Sequence, residues 1–220
     1  MDPKNVSLSF LNSVKKIIFQ SRSINSFNKK LNSMKLGFLS QNLPFSHNVY
    51  YLCFSDLGKY TDIKELRQNC LTKTNQLINL IKSNFITESM EDKINENSLI
   101  LPIGKISSQN IKKINKKYRL FNKTCNVKDI DTTFIDVGVI SKQGPIVSRQ
   151  LKTLIHNLND LKIPVYLCSS IFNFDREKYK KNNVLEPNKI KGIISEMGIY
   201  SHEDFINTLQ NEFPILFDFF

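Results

Sequence analysis

The stretch from Thr132 to Phe172 constrains the fold more than any other part of this 220-residue chain. Thr132-Thr-Phe-Ile-Asp-Val-Gly-Val-Ile140 is β-branched and aromatic, the make-up of a buried strand. Ser141-Lys-Gln-Gly-Pro145 interrupts it with two strong breakers of regular structure. From there Ile146, Val147, Leu151, Leu154, Ile155, Leu158 and Leu161 recur at the spacing of an amphipathic helix. Pro164 ends that helix, because the residue before a proline is pushed out of the α region. Val165-Tyr-Leu-Cys-Ser-Ser-Ile-Phe172 then reads as a second buried strand. Strand, helix and strand at this length make a βαβ unit (132–172), whose crossover is right-handed. The predicted fold class is α/β, with a small mixed or parallel sheet, flanking helices and a basic N-terminal extension.

Residues 1–46 form the expected extension, and 47–220 a single α/β domain with a helical C-terminal region. In the extension, Val6, Phe10, Leu11, Val14, Ile17 and Ile18 make an apolar stripe. The Ser-, Asn- and Lys-rich run after it, with Phe27, Leu31 and Met34, fits a transit peptide and an RNA-binding arm equally, with a core helix as the third reading. His47–Phe54 reads as a strand. Asp62-Ile-Lys-Glu65 is a capping box that opens a helix to about Asn84. Ile86–Asn97 is polar and expected to be an exposed connection, and Ser98–Ile103 a returning strand. Glu186-Pro-Asn-Lys begins a helix with Ile190, Ile193, Ile194 and Met197 as its stripe and Gly198 as its cap. Ser201 caps another through Phe205, Ile206, Leu209 and Phe213. The tail Phe213–Phe220 is too apolar for water, so it folds back or docks on a neighbouring protein.

Charge is segregated along the chain, whose net charge is +11. No acid occurs from Pro3 to Ser55 or from Asn97 to Lys128, and these windows hold fifteen of the 31 Lys and Arg residues. Such concentration attracts polyanions. The residues predicted to neutralise RNA phosphates are Lys15, Lys16, Lys29, Lys30, Lys112, Lys113, Lys116, Lys117, Arg119 and Lys123. The second window lies on an expected short basic helix, Ser107–Lys123, with Ile111, Ile114 and Tyr118 on one face. Tyr118 and Phe121 serve there as core anchors or as base-stacking rings.

Motifs for chemistry are sparse. The seven glycines spell no GxGxxG and no P-loop, and the four cysteines have no zinc spacing. Cys168, inside a predicted strand, is a small core residue. No catalytic residue, metal or cofactor is assigned. Ser141–Pro145 is where α/β folds commonly bind ligands, with Ser148 and Arg149 nearby, yet it reads better as a plain turn. Asp136 and Asp175 are the carboxylates that an alternative, a Mg²⁺-dependent nucleic-acid-processing enzyme, would use as metal ligands. Asp136 fits an edge strand facing solvent equally well. His156 and His202 are not assigned as general bases. No apolar run approaches the ~20 residues of a membrane span.

The chain has no Ala and no Trp, while Asn occurs 25 times and Phe 16 times. That bias reflects an AT-rich gene. Basic, AT-biased and without an active-site motif, the chain resembles the ribosomal proteins of mitochondria in AT-rich eukaryotes. The resemblance is one of composition and rests on no matched motif. It implies a non-enzymatic component of a ribonucleoprotein, with rRNA as partner and the mitochondrion, or alternatively the cytoplasm, as its place. A third reading is a scaffold subunit docking through residues 213–220.

Overall fold

A computed structural model describes residues 3–40, 44–83, 85–175 and 183–217. The chain divides into two compact units, Met1–Ser83 with Glu212–Phe220, and Asn84–Asn211.

The first unit is helical: α1 (Pro3–Gln20), α2 (Ile24–Leu39), α3 (Pro44–Phe54) and α4 (Ile63–Lys82). The stripe Phe10, Leu11, Val14, Ile17 and Ile18 is buried, as its spacing predicts. Residues 24–39 form a helix whose Phe27, Leu31 and Phe38 are buried. Ser23 caps it, its hydroxyl accepting from the Ser26 amide at 3.2 Å. Phe10 stacks on Phe38 at 3.9 Å between ring centroids and meets Phe54 edge-on at 6.2 Å. Asp62 caps α4 by accepting from the Lys64 amide, as its position in the sequence predicts. Lys73 pairs with Asp56 at 2.7 Å, and the Arg67 guanidinium donates to the Ser21 carbonyl. Pro214–Leu216 forms a 3₁₀ turn against α3, with Leu216 buried, so this part of the tail folds back. Residues 218–220 lie outside the described residues.

The second unit is an α/β sandwich. A six-stranded sheet runs in the order β2 (Arg119–Leu120), β1 (Leu99–Ile103), β3 (Thr132–Asp136), β6 (Val165–Cys168), β8 (Gly192–Ser195), β9 (Gly198–Tyr200). All neighbours are parallel except β8 and β9. Helices α5 (Phe85–Glu91), α6 (Lys105–Ile111), α7 (Arg149–Asp160) and α8 (His202–Glu212) accompany it. β4 (Ile140–Ser141), β5 (Gly144–Pro145) and β7 (Phe174–Asp175) form a small second sheet. Thr132–Phe172 is therefore the βαβ unit that the sequence predicts, and β3 and β6 pair with Asp136 opposite Cys168. Ser148 caps α7 by accepting from the Leu151 amide at 3.2 Å.

Four expectations are corrected. His47–Phe54 is helical: Phe45, Val49, Tyr50, Cys53 and Phe54 are all buried, and a short, mostly apolar segment reads alike as buried strand or buried helix. Residues 190–197 hold β8 and not a helix. Ile193 and Ile194 are both fully buried, as in a strand covered on both faces, and a Cβ on Gly192 would lie 3.0 Å from the Tyr200 carbonyl oxygen. Ile86–Asn97 is not an open connection, since α5 occupies its start and Met90 and Ile94 are core residues. The basic helix stops at Ile111, and the chain extends from there into β2.

Candidate functional site

In a parallel sheet ordered 2-1-3 and onward, successive connections leave β1 and β3 in opposite directions, opening a crevice beyond their carboxyl ends. Gly104 follows β1 there, at φ 116° and ψ 171°, a region open essentially to glycine alone. That conformation turns the start of α6 toward the end of β3. Asp136 meets it: one carboxylate oxygen accepts from the Ile106 amide at 2.6 Å, the other from the Ser107 amide at 2.8 Å. A side chain on Gly104 would run into the Asp136 carboxylate, its Cβ only 2.5 Å from that of Asp136. Burial lifts the Asp136 carboxyl above the ordinary aspartate range, against the pull of Ser107 and Ile106.

Cys168, opposite Asp136, is fully buried. Burial, with the Asp136 charge adding to it, pushes its thiol far above the usual range, so it stays protonated. Beyond it, Ser169 donates to the Val137 carbonyl at 2.9 Å. Glu196, in the β8–β9 turn, is buried and accepts from the Ser170 hydroxyl at 2.7 Å and the Ile171 amide at 3.0 Å. Two carboxylates thus brace this edge at the start of short helical turns, Asp136 taking two amides and Glu196 one amide and one hydroxyl. His202, also buried, bonds the Ser141 carbonyl through Nε2 at 2.8 Å and ties α8 to β4. Burial holds its imidazole below the ordinary histidine range.

Asp136 is therefore on a central strand and not on an exposed edge, and both of its oxygens are engaged by backbone. The metal-ligand reading is corrected accordingly: among the described residues no group of three or more His, Cys, Asp or Glu side chains gathers around a common point. Glu177, which with Asp175 follows the second strand of the βαβ unit in the sequence, lies outside the described residues. Gly104, Ser107, Ser170 and Glu196 carry no motif in the sequence, and His202 is weighed there only as a general base and not assigned. Their one legible signal is glycine placed between a strand and a helix in Ile103-Gly104-Lys105.

The predicted phosphate-contacting residues are split between the units. Lys15 and Lys16 lie on α1, and Lys29 and Lys30 on α2. Lys112, Lys113, Lys116, Lys117, Arg119 and Lys123 follow α6 in the second unit. Lys116 is engaged with the carbonyls of Glu91 and Ile94 at 2.7 and 3.1 Å, where it completes the end of α5. Tyr118 packs on the core, and its hydroxyl donates to the Ile111 carbonyl at 2.9 Å.

No family model and no curated protein matches the sequence. Solved structures do match the fold. A chain of the tetrameric eIF2B-β2δ2 complex from C. thermophilum is similar at a TM-score of 0.72 and 9% identity, over 97% of this chain and 90% of that one. Translation initiation factor eIF-2B of Pyrococcus horikoshii OT3 is similar at 0.61 and 10%, over 91% and 92%. The 5-methylthioribose 1-phosphate isomerase of the same organism is similar at 0.61 and 8%, over 96% and 84%. These likenesses overturn the mitochondrial ribosomal resemblance, whose basis was codon-driven composition and not fold. They likewise displace rRNA, and docking through the tail, as the partner expectation, and they displace the nucleic-acid-processing alternative. One of these structures is an enzyme, so missing motifs do not set the chain outside enzymes. The chain has the fold shared by eIF2B subunits and this isomerase.

Proposed function

We propose that the chain is a protein-binding subunit of an assembly of the eIF2B kind, acting through contacts with other chains of the same two-part architecture. The observation that carries this reading is the extent of the likeness. It runs through 97% of this chain and 90% of a chain taken from a tetrameric β2δ2 complex, so it spans the helical part as well as the sheet. The crevice chemistry supports it, because Asp136 and Glu196 hold loops in place at the carboxyl edge of the sheet. The test is native mass spectrometry of the complex purified from source cells. The expected particle contains this chain in stoichiometric union with chains of similar fold. A monomer at micromolar concentration, or co-sedimentation with ribosomal particles, overturns the proposal.

One observation favours a second reading, an isomerase acting on a sugar phosphate: the likeness to such an enzyme over 96% of this chain. The group positioned for proton transfer at the crevice is the Asp136 carboxyl, with the Cys168 thiol buried and protonated behind it. For phosphate to use the Ile106 and Ser107 amides, Asp136 must release them. Following 5-methylthioribose 1-phosphate by ³¹P NMR with the purified chain decides this reading. Turnover abolished in Asp136→Asn supports it, and no turnover with micromolar protein overnight removes it.

A further inference from the structure

β2 ends the six-stranded sheet, and among the described residues no strand pairs with its outer side. The ladder to β1 uses alternate residues: the Arg119 amide donates to the Ser98 carbonyl and the Phe121 amide to the Ile100 carbonyl, both at 2.8 Å. The amide and carbonyl of Leu120 point the other way, and no described residue bonds them. Leu120 is 41% exposed. An edge of this kind is a template for one more strand.

Charge selects the occupant. Lys117, Arg119 and Lys123 are exposed, and no carboxylate among the described residues pairs with them. Their neighbours Lys112 and Lys113 are exposed as well, and no carboxylate among the described residues pairs with them. A second copy of the chain is the wrong guest. Antiparallel pairing of β2 with itself about Leu120 would set Lys117 opposite the second copy's Lys123, and like charges directly opposed are unfavourable. In an extended strand Lys117 and Arg119 share one face, with Tyr118 and Leu120 on the other. The matching guest alternates acidic residues, set beside the cations, with apolar residues set beside Leu120.

We propose that the β2 edge is a docking site for an extended segment of a partner protein with alternating acidic and apolar residues, which joins the sheet as a seventh strand. This inference stands apart from the assembly reading and from any ligand at the crevice. The probe is a fluorescein-labelled eight-residue peptide of alternating Glu and Val, titrated with the full chain and followed by anisotropy at low and moderate salt. Leu120→Pro removes the outward amide together with the leucine side chain and leaves the ladder to β1 intact, because proline is tolerated where the N–H faces solvent; Leu120→Ala, which keeps the amide, separates the two losses. We expect Leu120→Pro, and N-methylation of alternate peptide amides, each to weaken binding by at least about tenfold, the equivalent of ~1.4 kcal/mol. Lys117→Glu with Arg119→Glu is expected to abolish binding of the Glu–Val peptide and to admit a Lys–Val peptide instead. Circular dichroism of both variants checks that the fold persists. Equal binding of the N-methylated peptide, or of Leu120→Pro, would reduce the edge to simple charge attraction and overturn the proposal. So would an oligouridine that binds as tightly as the peptide and is indifferent to Leu120→Pro. Absence of peptide binding at low salt overturns it as well, leaving the lysines as a guard against edge pairing.

Discussion

Replacing Gly104 by alanine tests the junction on which the crevice is built. Gly104 sits at φ 116° and ψ 171°, and a non-glycine residue held there costs about 1–3 kcal/mol in backbone strain. The new methyl group also collides with Asp136, which has to swing away from the Ile106 and Ser107 amides. Each hydrogen bond to a charged group contributes about 1.5–3 kcal/mol. Taking the low end of every range, Gly104→Ala destabilises by about 4 kcal/mol, a large share of the ~5–15 kcal/mol that holds an ordinary domain together. Urea denaturation followed by circular dichroism measures the loss. Gly138→Ala is the control: nothing lies within 4 Å of its Cβ position and its φ is not positive, so the change is neutral or stabilises by up to about 1 kcal/mol. The sharper comparison is Gly104→Ala in an Asp136→Gly background. With the obstructing side chain gone, only the strain of about 1–3 kcal/mol remains, and the two substitutions couple by about 2 kcal/mol or more. An equal cost in both backgrounds would refute the steric argument, and a cost below about 1 kcal/mol in the parent would refute the geometry itself.

Other substitutions probe separate parts of the chain. The folded state prefers neutral His202, so the unfolded chain takes up this proton first as the pH falls below about 6.5, the ordinary histidine value. The stability present above that pH is lost as the pH drops through the lower folded value, at no more than about 1.4 kcal/mol per pH unit. His202→Gln keeps a donor for the Ser141 carbonyl, so urea midpoints between pH 7.5 and 5 should diverge from the parent, and parallel curves would rule out this role. Leu216→Ala removes a fully buried side chain of the folded-back tail and should destabilise by about 2–5 kcal/mol; a loss under about 0.5 kcal/mol would mean that the tail does not pack. Burial holds the thiol of Cys70 at about 11 and that of Cys53 at about 12, and Cys168 higher still, whereas Cys125 is half-exposed. At pH 8 a disulfide reagent should therefore label Cys125 rapidly and the other three only on unfolding, and fast labelling of two or more thiols would contradict their burial.

The βαβ unit was legible because its two strands are rich in β-branched residues while its helix shows the 3.6 period over a whole face. The caps Asp62 and Ser201 were legible for a local reason, since each acts within three residues of itself, whereas Ser148, which caps α7 in the same way, was not singled out as a cap. His47–Phe54 and Ile190–Met197 misled in opposite directions. The first is covered on every side, and the second carries isoleucines at 190, 193 and 194, a spacing that a strand buried on both faces reproduces by coincidence. The crevice was largely hidden. Asp136 is drawn to Ile106 and Ser107 across some 30 residues of sequence, and Glu196 to Ser170 across 26, so no motif window holds them together. Lysine clustering along the chain, which suggested RNA, was a statement about codons as much as about surfaces. Lys116 shows the difference, because its ammonium group is used inside the fold on the Glu91 and Ile94 carbonyls.

The central claim, that this fold works as a subunit among others like it, is tested most directly by the mass of the native particle. Native mass spectrometry of the purified complex should return an even-numbered assembly in which the 25.5 kDa chain is joined by stoichiometric chains of similar fold. A lone 25.5 kDa species at micromolar concentration, with nothing bound in stoichiometric amount, would contradict it.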